Sequence, residues 1–148
     1  MKINIKKMHK DATIPNYATK GSSGFDLHSI EKVVLLPNET VLIKTGLIFE
    51  IPEGYEMQIR PRSGLSLNSP LRICNSPGTI DSDYRGEVCV IIQNTSNMYD
   101  KTGILKVIEK GEKMAQAVIC PVIKAEFELV EYIEQTDRGE SGFGSTGK

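Results

Sequence analysis

The chain has 148 residues, of which 39% are hydrophobic and 25% charged, with a formal net charge of -1. That length suits a single domain with a real core. The even charge balance gives no electrostatic case for sequence-independent nucleic-acid binding, and no apolar run approaches membrane-spanning length. The N-terminus MKINIKKMHK alternates polar and apolar residues instead of forming the apolar region of a secretion signal.

In chain order, residues 2–8 (KINIKKM) put Ile3 and Ile5 on one face, a strand signal. A turn region around Pro15 and residues 21–24 (GSSG) leads into FDLHS, with Phe25 and Leu27 facing one way and Asp26 the other. VVLLP (33–37) follows, then ETVLIKTGLIFEIP (39–52), broken by Gly46, where β-branched residues favour strand over helix. After the Pro52-Glu53-Gly54 turn, residues 55–61 (YEMQIRP) alternate again. SGLSLN (63–68) is the one plausible helical turn, with Ser63 as its expected cap. LRICN (71–75), EVCVIIQN (87–94), ILKVIEKG (104–111), EKMAQAVICPV (112–122) and KAEFELVEYI (124–133) read as further strands. About nine or ten short strands with almost no helix predict an all-β sandwich or barrel. VVLL and VICPV read as buried on both sides, which points to a subunit interface as well as a core.

Cys74, Cys89 and Cys120 are odd in number, far apart and set in apolar runs. They read as buried free thiols of a reducing compartment rather than disulfides or a zinc site. His9 and His28 lack a second nearby soft ligand and read as surface or structural residues.

Five polar segments stand out. GTIDSDYRG (78–86) sets Asp81 and Asp83 two apart, facing one side if extended, with Tyr84 following. A carboxylate there can polarise a water, and the tyrosine ring can wall a sugar or base; alone, the segment reads better as an acidic turn with a packed tyrosine. RPRSGLS (60–66) puts Arg62 and Ser63 at a strand end, where charge and donors suit an anion. Gln116 sits in an apolar strand and must find a hydrogen-bond partner. Asp26 lies in a Gly/Ser setting. The tail from Glu134, EQTDRGESGFGSTGK, carries four glycines in residues 139–147 around Phe143. It cannot build its own core, yet Arg138, Ser145 and Thr146 suit phosphate oxygens and Phe143 suits base stacking. It lacks the Gly-Lys-Ser/Thr ending of a Walker A loop. Together the segments fit one ligand, a nucleoside triphosphate with a divalent metal held mainly by phosphates and water.

GSSGFDLHS, RSGLS, GTIDSDYRGEV, GEKMAQ and RGESGFGSTG, in that order over residues 21–147, resemble the five motifs of the trimeric dUTPases. The resemblance implies a jelly-roll-like β-sandwich over residues 1–133, assembled as a cytoplasmic homotrimer. It also implies a mobile arm, 134–148, that closes over a neighbouring subunit's site. The implied reaction is hydrolysis of dUTP to dUMP and pyrophosphate with Mg2+, limiting uracil in DNA and supplying dUMP for dTMP synthesis. Asp81 matches the base that activates water for attack on the α-phosphorus. Tyr84 matches the ring packed on the deoxyribose, and Asn75 the uracil contact. Arg62, Ser63, Gly64 and Gln116 match phosphate binders. In the arm, Arg138 matches the γ-phosphate ligand, Phe143 the uracil lid, and Gly144, Ser145 and Thr146 its phosphate-binding end. Asp26 matches an acid tied to metal-bound water or to structural support, and Asp83 a structural residue. No direct metal ligand is implied. Ser141 stands where many relatives have glycine, narrowing the backbone slightly. A dCTP deaminase of the same fold fits less well because the Asp81–Tyr84 arrangement is kept; a nucleotide-binding module without turnover is the reading from another class.

Overall fold

A computed structural model of the chain describes residues 1–97 and 105–142. Among the described residues there are eleven strands and one short helix: β1 (Asn4–Lys7), β2 (Phe25–His28), β3 (Val33–Leu35), β4 (Thr40–Lys44), β5 (Leu47–Glu50), β6 (Tyr55–Arg60), α1 (Ser63–Asn68), β7 (Leu71–Ile73), β8 (Gly78–Ile80), β9 (Cys89–Asn94), β10 (Lys106–Ile108) and β11 (Lys113–Pro121). All strand pairs are antiparallel. The two larger sheets run β2-β11-β6-β8 and β4-β9-β7, joined by the pairs β1-β5 and β10-β3. The result is a jelly-roll-like sandwich.

Period-two alternation builds the core between the sheets. In β9, Val90 and Ile92 point inward and are fully enclosed. Leu27 of β2, Met57 of β6 and Ala115 and Ala117 of β11 meet them from the other sheet. The ring of Phe25 stacks on Phe49 with centroids 6.1 Å apart, closing the sandwich toward β5. Buried Asn94 is satisfied: its Nδ2 donates to the Leu35 carbonyl at 3.1 Å and its Oδ1 accepts from Ser96.

Three local expectations change. The N-cap of α1 is Arg62, without a side-chain cap bond, and Ser63 is the first helical residue; Ser69 instead braces the helix end, its Oγ donating to the Leu65 carbonyl at 2.7 Å. VVLL and VICPV are not buried on both sides within one chain: in VVLL the alternation turns Val34 and Leu36 outward, and in VICPV residues 118–120 are only half-buried and Pro121 and Val122 are exposed where β11 ends. Residues 124–133 form no strand. From Val122 to Ile133 the segment is exposed, with Phe127 97% and Leu129 101% accessible. Its alternation is that of a strand, but no sheet edge of its own chain receives it, and an unpaired strand leaves its backbone groups to water. No described helix is long and apolar enough to cross a membrane.

Candidate active site

The outward face of β2-β11-β6 gathers the first polar cluster. Alternation turns Phe25 and Leu27 inward, so Asp26 faces out. Register then sets Gln116 of β11 opposite Asp26 on one side and Arg60 of β6 on the other. A bulge at Met114 shifts the register between Lys113 and Ala115. Lys113 and Gln116 are three residues apart and in a regular strand would face opposite sides; the extra residue puts both on the face of Asp26. Arg62, just past β6, donates Nε to Asp26 Oδ1 at 2.9 Å and Nη1 to the Lys113 carbonyl at 3.1 Å. Lys113 Nζ lies 2.8 Å from Asp26 Oδ2. Gln116 Nε2 donates to the Pro61 carbonyl at 2.9 Å, fixing the backbone that carries Arg62.

The guanidinium is thus held on two nitrogens, leaving Nη2 for another acceptor. Burial pushes the Asp26 carboxyl up, but the Lys113 hydrogen bond and the Arg62 and Lys113 charges together hold it below the usual carboxylate range. Both Asp26 oxygens are already paired with cations, and one of them holds the Arg62 guanidinium. Its neighbour His28 has Nδ1 buried without a partner, and burial lowers its pKa. Gly24 permits the close approach of β2 to β11, since a Cβ there would stand 2.9 Å from the Ala117 carbonyl and 3.1 Å from Gln116 Oε1. Ser63 and Gly64 open α1 beside Arg62, both exposed.

The turn from β7 to β8 forms the second cluster and crosses between the two larger sheets. Asn75 sits at its tip beside Gly78, whose absent Cβ would stand 3.1 Å from Asn75 Nδ2. Asp81 follows β8 immediately, as the first residue of a turn in which the Tyr84 N–H donates to the Asp81 carbonyl at 3.2 Å. This turn replaces the extended geometry expected for Asp81 and Asp83. Asp81 is exposed, and its carboxylate accepts no hydrogen bond among the described residues. It borders a cavity of about 600 Å³ lined by Glu53, Tyr55, Glu56, Asp83, Arg85 and Lys124. Tyr84 is half exposed; its hydroxyl donates to the Glu87 carbonyl at 3.1 Å, and its ring lies over Gly86.

The two clusters do not meet within one chain. Ile80 pairs with Met57, so Asp81 lies at the start of β6, whereas Arg62 follows its end. At strand rise the two are roughly 15–20 Å apart. Arg138 is elsewhere again: its Nε donates to the Ser141 carbonyl at 2.9 Å in an exposed turn. Phe143, Gly144, Ser145 and Thr146 lie outside the described residues. No three Asp, Glu, His or Cys side chains converge on a metal-sized site among the described residues. The thiols are free, but Cys74 is exposed in the β7–β8 turn rather than buried, and Cys89 and Cys120 are half-buried.

Sequence reasoning missed Lys113, Gly24, Gly86 and Glu87. A single-residue bulge has no sequence mark to reveal Lys113, and the glycines act through space left for side chains distant in pattern.

The dUTPase family model matches residues 10–147. The deoxyuridine 5'-triphosphate nucleotidohydrolase of Nautilia profundicola is 55% identical over 148 residues, covering 100% of both chains. That of Helicobacter pylori strain J99 is 48% identical, covering 99% of this chain and 97% of its own. Among solved structures, the Staphylococcus bacteriophage 80alpha dUTPase with dUpNHpp is similar at TM-score 0.90 and 34% identity, covering 99% of each chain. A mutant dUTPase of phage phi11, described with a structural Mg(II) ion, matches at TM-score 0.82 and 30% identity, over 91% of this chain and 100% of its own.

Proposed function

The chain belongs to the dUTPase family, and from that footing we propose that it hydrolyses dUTP to dUMP and pyrophosphate at sites shared between three copies of itself. The observation that carries the shared site is the separation of Asp81 and Arg62 at opposite ends of β6. A base acting at the α-phosphorus and an arginine binding the same triphosphate have to be neighbours, which one chain does not achieve and two chains can. The exposed segment 122–133 supports the assembly. It carries Ile123, Phe127, Leu129 and Tyr132 into water in the lone chain, an apolar load that a neighbouring sheet edge would bury.

In this reading Asn75 contacts uracil and Tyr84 packs against the deoxyribose, leaving no room for a 2′-hydroxyl. Asp81 accepts a proton from a water held in line with the α-phosphorus, and the water oxygen attacks as the α–β bridging oxygen leaves with pyrophosphate. Arg62 offers its remaining Nη2, and Ser63, Gly64 and Gln116 offer hydroxyl, backbone and amide groups, to oxygens that gain charge in the transition state. From the arm 134–148, Arg138 takes the γ-phosphate, Phe143 covers uracil, and Gly144, Ser145 and Thr146 complete the phosphate cradle. Closure of such an arm excludes water and completes the site.

The donor set fits Mg2+ carried by the triphosphate and water, since Asp26 is already paired with Arg62 and Lys113. When bound, the ion supplies charge neutralisation on the phosphates. Three unpaired thiols support a reducing, cytoplasmic setting. There the reaction would limit uracil incorporation into DNA and supply dUMP for dTMP synthesis.

The test is pyrophosphate release from dUTP, dCTP, dTTP and UTP, with and without Mg2+, followed by subunit mixing. Release from dUTP alone, raised by Mg2+, is expected. Asp81→Asn and Arg62→Ala chains, each inactive, should regain activity when denatured and refolded together, because mixed trimers contain sites with both residues intact. Mixtures that stay inactive would sink the shared site.

A further inference from the structure

We propose that Gly86 is a positioning residue for sugar selection: by having no side chain, it seats the Tyr84 ring that faces the substrate. The inference rests on the reading of Tyr84 as the wall against the deoxyribose. Gly86 is not required by its backbone. Among the described residues the glycines with positive φ are Gly46, Gly54, Gly111 and Gly139, so an L-residue can adopt the conformation at position 86. What an added Cβ meets there is the Tyr84 side chain. It would overlap the ring's Oη and Cζ and stand 2.9 Å from Cε2, closer than carbon atoms pack.

The ring is tethered at its far end as well. Tyr84 Oη donates to the Glu87 carbonyl at 3.1 Å. That carbonyl is fixed by the next residue, since the Val88 N–H donates to the Leu47 carbonyl at 2.8 Å and Val88 is buried in the core. The ring therefore lies across residue 86, tied at its hydroxyl end to backbone anchored in the core, while Tyr84 as a whole stays half exposed. An alanine at 86 leaves core and turn untouched but forces the ring to rotate away and drop its hydrogen bond. Because Tyr84 is half exposed, the rotation costs the fold little. It moves the one surface that would distinguish a 2′-hydrogen from a 2′-hydroxyl.

The experiment compares wild type, Gly86→Ala, Tyr84→Ala and the double variant, reading kcat/KM for dUTP and for UTP together with the melting temperature. Gly86→Ala is expected to melt as wild type does and to lower the dUTP/UTP ratio about tenfold or more, the scale on which a methyl-sized misfit changes discrimination. In the Tyr84→Ala background the same glycine change should have no further effect, because residues that act through one another are not additive. A merely structural loss would lower both substrates alike and leave the ratio unmoved. A wild-type ratio in Gly86→Ala, or effects that multiply in the double variant, would overturn the proposal. A wild-type enzyme that accepts UTP as readily as dUTP would instead overturn the sugar-wall reading, and this inference with it.

Discussion

Replacing Asp26 with Asn tests the cluster around Arg62 most directly. The carboxylate, 20% exposed, accepts from Arg62 Nε at 2.9 Å and from Lys113 Nζ at 2.8 Å. The amide offers one acceptor oxygen and turns an NH2 toward a cation. Charge-assisted bonds are the stronger kind, but Arg62 and Lys113 are 34% and 48% exposed and water screens them. The expected loss is therefore ~1–2 kcal/mol of stability, a drop in melting temperature of roughly 3–6 °C for a chain of this size. The sign with pH follows from the carboxyl being held below its ordinary value of 3.8. A depressed carboxylate stabilises fully above the unfolded pKa and loses that contribution as pH falls through the folded one. The gap between wild type and Asp26→Asn should then be constant near neutrality and close below about pH 4. Function gives a second reading. An Arg62 set adrift loses about one phosphate hydrogen bond, so a non-hydrolysable imido analogue of dUTP should bind about tenfold more weakly in EDTA. Wild-type binding in EDTA, with the deficit appearing only on Mg2+ titration, would refute the orienting role and return Asp26 to metal-bound water. A melting gap that persists unchanged to pH 3 would refute the ion-pair account of its stability.

Asp81→Asn should keep affinity for the imido analogue and lose turnover by about 10²–10⁴-fold; near-normal pyrophosphate release would remove it as the base. Gly24→Ala puts a Cβ 2.9 Å from the Ala117 carbonyl, and overpacking against backbone should lower stability by ~1–3 kcal/mol, read as an earlier thermal melt; a wild-type melt would show that β2 and β11 separate freely. Removing residues 134–148 should leave the oligomer intact but nearly inactive, whereas removing 122–148 should dissolve it; sedimentation showing the longer deletion still assembled would detach segment 122–133 from the interface.

Much of the sandwich was legible because its signals are local. Alternation in FDLH, YEMQIR and CVIIQN names the inward residues, and Gly46 and the Pro52-Glu53-Gly54 turn punctuate the long run. The same period-two reading failed at residues 124–133. It reports what a segment can do when paired, not whether its own chain supplies the edge. It also failed at β11, where one extra residue at Met114 moves Lys113 to the other face. Asp26 was visible as an acid among glycines, but its partners were not. Arg62 is 36 residues away and Lys113 is 87, and only the order β2-β11-β6 makes them neighbours.

That strand order also explains why the Arg62 cluster and Asp81 are rigid yet apart. β6 is hydrogen-bonded on both sides, to β11 and to β8. β11 anchors its end at Arg62, through Gln116 on the Pro61 carbonyl and Lys113 on the guanidinium. β8 delivers Asp81 to its start. Both clusters are therefore fixed to the same strand and cannot drift toward each other without tearing the sheet. If both act on a single triphosphate, as proposed, a second chain has to bring its Arg62 end to the first chain's Asp81 end. A hinge or loop closure within one protomer would have to cover roughly 15–20 Å along an intact strand, which a paired β-ladder does not permit.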